Sequence, residues 1–152
     1  MSTVKVDTIQ TTGGASEIAI DKLKGVSSAS SISVVAEGGT TTTNLQQGLT
    51  KAWAGIDSGA SLENSFNVSS GDDDGSGNYG LNYTSNMSDA NYSSVNTAEF
   101  SHNGTSQNPR VTVTNSRTTS SVEVDAAYVT GAGVFTFYDF GDLGVQVNGD
   151  LA

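Results

Sequence analysis

The sequence predicts a mainly β protein whose C-terminal part forms a β-sandwich or jelly-roll-like knob. Beyond residue 63, apolar residues alternate with polar ones in seven short segments, and clusters of Gly, Asp, Asn and Ser separate these segments. Only one segment of the chain has the apolar spacing of a helix. Short strands with period-two alternation and turn signals between them are typical of sandwiches and jelly rolls.

The clearest pair of predicted strands is a hairpin at the start of this block. Its apolar residues alternate with Ser, Asn, Gly and Thr: Phe66 and Val68 in the first strand, and Tyr79, Leu81 and Tyr83 in the second. Such alternation indicates half-buried strands. Residues 71–78 are rich in Gly, Asp and Ser, so they are expected to form the connecting loop.

Five further strands are predicted after the hairpin. They are a weak strand at Ala98–Ser101 and alternating segments at Val111 and Val113, Val122 to Tyr128, Phe135 and Phe137, and Val145 and Val147. Earlier in the chain, residues 32–35 predict one short strand inside a Ser/Thr/Gly-rich stretch.

One short helix is predicted near residues 43–53. Thr43 as N-cap and Gln46 three residues later form a capping box, and Leu45 and Leu49 fall on one face. In a trimer these two leucines could meet around the axis. Because Gly48 weakens a helix, a strand over residues 51–56 is the competing interpretation.

The chain is expected to have three parts: an extended N-terminal arm at 1–23, a linker at 24–62 and the knob at 63–152. In the arm, Val4 and Val6 alternate with polar residues, as do Ile18 and Ile20, on either side of a Gly-rich turn. Two thin strands are not stable alone, so they need a partner chain. An ordinary first hairpin of the knob is the alternative, and both interpretations remain open.

The composition predicts an oligomer and excludes some classes of partner. Ser, Thr, Asn and Gly make up 70 of 152 residues, and only 35% of the residues are hydrophobic. This is a low apolar content for a large core within a single copy of the chain. Copies that share one core, as in a homotrimer, would solve this. A net charge of −10 disfavours nucleic acid. The chain has no cysteine, no apolar run long enough for a membrane helix and no signal-peptide pattern at its start.

Candidate chemical sites are few, and an enzyme is not expected. Asp72 and Asp74 have the first and third positions of a calcium loop, but Tyr83 stands where the bidentate Glu belongs. A solvated turn without metal is therefore expected there, and no cofactor is predicted. His102 is the only histidine, and no nucleophile-elbow motif surrounds any serine. The five tyrosines, together with many amides, could present a sugar-binding face, although tyrosines more often fill a core.

Two stretches resemble virion proteins of tailed bacteriophages of the marine and cyanobacterial type. SFNVSS, a short Asp/Gly turn, GNYGLNYT and MSDANY are similar to the C-terminal knobs of fibre proteins in such phages. The opening STVKVDTIQTTGG resembles the N-terminal segment of many of their virion proteins. The chain departs from the longer fibres because it lacks a repetitive shaft and carries three aspartates in the hairpin.

The resemblance implies a structural protein of the virion: a short fibre or knob, possessing an arm that docks on other virion proteins through Val4, Val6 and Ile9. Contact with a glycan on the host surface is an expected further role. A capsid-decorating protein, such as a head fibre or cement protein, and a carbohydrate-binding module are the alternatives.

Overall fold

A computed structural model describes residues 21–23, 32–35, 39–99 and 108–152. The described residues contain eleven strands and one short helix, which confirms the mainly β prediction. The elements are β1 (Ser33–Val35), β2 (Thr42–Asn44), α1 (Leu45–Gly48), β3 (Thr50–Ile56), β4 (Leu62–Phe66), β5 (Val68–Gly75), β6 (Asn78–Tyr83), β7 (Ser93–Ala98), β8 (Arg110–Arg117), β9 (Ser121–Val129), β10 (Phe135–Phe137) and β11 (Leu143–Asn148). No described helix has the length and apolarity needed to cross a membrane.

Two antiparallel sheets make up most of the described structure. The four-stranded sheet has the order β4-β3-β11-β7. In the five-stranded sheet, β6 lies between β5 and β9, and β9 pairs in addition with β8 and β10. β1 and β2 form a separate two-stranded ribbon near α1.

One hydrophobic core joins the two sheets, and it is built by alternate residues of the inner strands. The four-stranded sheet contributes Ala52, Ala54, Ile56, Leu143, Val145 and Val147, and the five-stranded sheet contributes Val68, Tyr79, Leu81, Tyr83, Val122, Val124 and Ala126. Alternation in β6, β9 and β11 was predicted from the sequence, and the burial of these residues confirms it. Many of the core side chains are Ala or Val, so the core formed by the described residues is small.

The two sheets are connected at both sides. On one side β4 and β5 are separated only by Asn67, whose φ of 56° turns the chain from one sheet into the other. On the other side β7 and β8 are joined by side chains: Thr114 Oγ1 is hydrogen-bonded to Ser94 Oγ and accepts a second bond from Asn96 Nδ2 at 3.0 Å.

The hairpin prediction is confirmed for its pairing but wrong in two details. Phe66 and Val68 do not share a face, because the left-handed residue between them breaks the alternation: Val68 is 8% exposed and Phe66 is 52% exposed. The predicted loop at 71–78 is much shorter, since β5 continues to Gly75 and only two residues separate it from β6. β5 pairs only with β6, and such an edge strand tolerates acidic residues.

The helix prediction was wrong in length, and the competing strand is confirmed. α1 has four residues, and Asn44 rather than Thr43 is its N-cap, accepting a hydrogen bond from Gln47 N at 3.0 Å. β3 then starts at Thr50, because Ala52, Ala54 and Ile56 alternate into the core.

Two other predictions have different outcomes. The strand predicted at Ala98–Ser101 overlaps β7 (Ser93–Ala98) only at Ala98, and residues 100 and 101 lie outside the described residues. The short strand predicted at 32–35 is confirmed as β1.

Candidate functional site

The outer surface of the four-stranded sheet carries a row of apolar side chains. Strand register places Phe66 opposite Trp53, Trp53 opposite Gln146, and Gln146 opposite Val95, so these four residues cross the whole sheet. We call them the Trp53 row. Phe66 is 52% exposed, Trp53 39% and Val95 59%. Most of the larger side chains on the inner surface of the same sheet are buried, whereas the large apolar side chains of the outer row are exposed to solvent.

A shallow trough lies beside the Trp53 row. The next row on the same surface is Asn64, Gly55, Gly144 and Thr97, so its two central positions have no side chain. A Cβ at Gly55 would meet no atom within 4 Å, which shows that the space above it is open. A depression of about 300 Å³ lies at Gly144 and is lined partly by Trp53, Val95 and Thr97, whose Oγ1 would lie 2.6 Å from a Cβ at Gly144.

Charged side chains lie beside the two rows, as Glu63 does in β4, but not within them. None of the eight residues in the two rows is charged, although the chain carries 16 acidic residues. By contrast, the five-stranded sheet presents carboxylates next to amides on its outer surface, where Asn115 Nδ2 donates to Asp125 Oδ1 at 3.1 Å. The two rows are therefore uncharged, although Glu63 lies in the same sheet, and the outer surface of the other sheet is acidic.

Asp72 and Asp74, the weak metal candidates, belong to the acidic surface. Both lie in the edge strand β5, and Asp72 Oδ2 accepts a hydrogen bond from Asn82 Nδ2 at 2.5 Å. Both side chains are exposed. Within the described residues, no three acidic or histidine side chains come together in a way that could hold a metal ion. Asp72 and Asp74 thus have no third ligand of these types among the described residues.

Leu45 and Leu49, the predicted trimer contacts, lie next to the two-stranded ribbon. Leu45 N donates to Ile32 O at 2.9 Å, which ties α1 to the segment that leads into β1. Leu49 is 53% exposed, and Val34 and Val35 of the ribbon are 52% and 57% exposed. This end of the described structure therefore presents a second set of apolar side chains to solvent. The predicted anchors Val4, Val6 and Ile9, and also His102, lie outside the described residues.

The described residues whose pKa values are shifted lie in loops and in the core. Burial, and then the negative charge of Asp139, raise the pKa of Tyr79 to about 12. Backbone N–H groups of Ser61 and Gly59 lower the pKa of Asp57 in the turn between β3 and β4. A hydrogen bond with Asp142 raises the pKa of Glu99, and both of these side chains are exposed. None of these groups lies in the Trp53 row.

No family model matches the chain, and neither a curated protein nor a solved structure matches it.

Sequence reasoning missed the Trp53 row because it assigned Trp53 to the end of a helix. The missed signal is the inverted size pattern of β3, in which small alanines at 52 and 54 alternate with Trp53. In a strand with this pattern the large aromatic side chain faces outward, where another surface can cover it.

Proposed function

We propose that this chain is a structural protein of a phage virion: the knob of a short appendage that forms a homotrimer and is anchored to the particle by its N-terminal arm. The resemblance of residues 63–92 and of the first 15 residues to phage virion proteins supports this assignment. The observation that carries the oligomeric part is the exposed Trp53 row on an uncharged sheet surface.

Energetics favour covering this surface. Each Å² of apolar surface removed from water contributes about 25 cal/mol, and Trp, Phe and Val side chains supply such area here. Aromatic side chains are enriched in interfaces between proteins, and charged ones are depleted at interface centres. The Trp53 row with its neighbouring trough has both properties.

A second copy of the same chain is the partner that the charge distribution favours. Copies with a net charge of −10 repel one another across most surfaces. This repulsion is weakest where the side chains in contact are uncharged, as in the Trp53 row and the row beside it. In the proposed trimer, Trp53 of one copy packs over the trough at Gly55 and Gly144 of the next, and Leu45 and Leu49 add contacts near the ribbon.

Matched valine variants test the proposed interface. Val95→Ser removes an apolar side chain from the Trp53 row, and Val113→Ser removes one of similar exposure, 48%, from the other sheet. We expect V95S to shift the mass measured by light scattering from trimer towards monomer at micromolar concentration, and V113S to leave it unchanged. Equal effects of the two changes, or none from V95S, would contradict the interface.

Deletion of residues 1–23 tests the attachment arm. We expect the truncated protein to fold and to remain oligomeric, but to be lost from assembled particles. Failure to fold would mean that the first strands belong to the knob, and normal incorporation would place the attachment elsewhere. A density map of the intact particle then separates a tail appendage from a capsid-decorating protein by where the knob lies.

A further inference from the structure

A polar pocket of about 390 Å³ lies away from the Trp53 row. It is bounded by α1, by the segment between β6 and β7, and by the turn that follows β11. The residues that line it include Gln47, Asp89, Asn91, Tyr92, Asn148 and Asp150. Its volume is within the range of about 300–1,000 Å³ that is usual for small-molecule sites.

The walls of the pocket are held in place by the ends of the two segments that form it. Met87 and Leu151 form an antiparallel bridge, and Ser88 N donates to Asp150 O at 2.8 Å. Asp89 Oδ1 accepts a hydrogen bond from Asn91 N at 2.6 Å, which fixes the turn that carries both side chains. The pocket therefore does not depend on a long mobile side chain for its shape.

Tyr92 anchors one side of the pocket in the core, where its ring packs edge-to-face against Tyr83. Its hydroxyl donates to Ser121 O at 2.6 Å, and the residue is only 4% exposed. A Cβ at Gly149 would lie 2.6 Å from Tyr92 Cβ, so this glycine is what lets the turn after β11 approach the tyrosine.

The carboxylate of Asp150, one of the lining residues, accepts fewer hydrogen bonds than it can. Among the described residues, Asp150 Oδ1 is buried without a hydrogen-bond partner, and Oδ2 accepts only a long bond of 3.4 Å from Gln47 Nε2. An ionised carboxylate accepts hydrogen bonds and donates none, and leaving a buried acceptor unpaired is costly. A ligand that brings hydroxyl groups and displaces the exposed Gln47 amide would supply these donors.

We propose that this pocket binds a neutral sugar. Sugar hydroxyls can donate to the carboxylates of Asp89 and Asp150 and accept from the amide NH₂ groups of Asn91, Asn148 and Gln47. Two carboxylates, and no Lys or Arg among the lining residues, disfavour an anionic sugar. The site is independent of the virion assignment, because it shares no residue with the Trp53 row.

Saturation-transfer NMR of the full chain tests the site with glucose, galactose, mannose and N-acetylglucosamine, each at millimolar concentration, and with galacturonic acid as the anionic comparison. Asp89→Asn and Asn91→Ala change exposed pocket residues, and Asp74→Asn, which makes the same charge change on the other sheet, is the control. Melting temperatures establish that all three variants are folded.

We expect at least one neutral sugar to bind the unchanged chain and D74N, to bind D89N and N91A about tenfold more weakly or not at all, and to be unaffected by EDTA. The proposal is overturned if none of the four neutral sugars binds, if galacturonic acid binds more tightly than they do, or if the pocket variants bind as well as D74N. Loss of sugar binding in EDTA would also overturn it, since the sugar would then be held through a metal ion.

Discussion

At the scale of single residues, Asn67 determines how the two sheets are connected. Its amide group donates to Lys51 O and to Ser85 O, both at 3.0 Å, and its Oδ1 accepts from Ser85 N at 2.7 Å. Asn is among the few residues other than Gly that adopt positive φ readily. One side chain thus joins the corner between β4 and β5 to the start of β3 and to the end of β6.

We predict that Asn67→Ala lowers the free energy of unfolding by about 2–4 kcal/mol, because it leaves three backbone groups without this partner and strains the positive φ. Asn67→Gly removes only the hydrogen bonds and should cost less than Ala. Urea denaturation measures both. Asn64→Ala is the control, since the Asn64 side chain bonds only to the neighbouring Ser65 N among the described contacts. Equal stability of N67A and N64A would refute this role.

The raised pKa of Tyr79 predicts a loss of stability at alkaline pH. Its folded-state pKa of about 12 is above the ordinary value of 10.0, so the folded protein holds this proton more tightly than the unfolded chain. Unfolding is then favoured as pH rises from 10 towards 12. Below pH 10, ionisation of Tyr79 does not change the free energy of unfolding. Denaturation at a series of pH values, with Tyr79→Phe for comparison, should show a shallower alkaline loss in Y79F. An identical pH dependence of the two proteins would exclude Tyr79 as a source of the alkaline loss of stability.

At the scale of elements, the tip of the β5–β6 hairpin is fixed by the chain that follows β10. Gly77 O accepts from Ala126 N at 2.7 Å, and Gly77 N donates to Asp139 Oδ1 at 2.6 Å. Gly77 has a φ of 71°, and a Cβ there would lie 2.2 Å from Ala126 O. The hairpin can therefore close against β9 and β10 only with glycine at this position.

Gly77→Ala should lower the free energy of unfolding by about 2–4 kcal/mol, through backbone strain and through the displacement of β9 or β10. Gly131→Ala is the matched control, because a Cβ at Gly131 would meet no atom within 4 Å and this glycine lies outside the proposed interface. Thermal unfolding of the two variants makes the comparison. Similar melting temperatures would contradict the close packing at the hairpin tip.

The acidic strand β5 yields a prediction on metal removal. Because Asp72 is already hydrogen-bonded to Asn82 and no third acidic ligand is present among the described residues, we expect chelator to leave the melting temperature unchanged. A structural Ca²⁺ at 100 times its dissociation constant would contribute about 2.7 kcal/mol. A fall of several degrees in EDTA would thus identify a metal site that depends on this strand or on residues beyond the described ones.

The sequence predicted most strands because their alternation is regular, and failed where one residue changes the geometry. In β6, β9 and β11, period two continues unbroken, so the inward residues could be named in advance. Asn67 breaks this period with a single left-handed residue, which no pattern of hydrophobicity reveals. The Trp53 row and the polar pocket depend on strand register and on contacts between distant segments, such as Ser88 with Asp150, and these are absent from any local pattern.

At the scale of the whole molecule, the small core and the exposed apolar sheet surface have a common cause, which is the placement of small side chains inside and large ones outside. The inward side chains of β3 are only Ala52, Ala54 and Ile56, whereas its largest side chain, Trp53, faces outward. A chain that keeps large apolar groups outside and small ones inside gains less from folding alone than from folding and association together. We therefore propose that folding of this chain is coupled to its assembly into a homotrimer.

Light scattering on the purified, unchanged chain at micromolar concentration tests whether it is a trimer. We predict a particle of three times the 15.5 kDa chain mass, whose dissociation on dilution accompanies increased accessibility of Trp53, the only tryptophan, to acrylamide quenching. A monomer of 15.5 kDa that unfolds cooperatively, with Trp53 equally accessible at all concentrations, would contradict the claim.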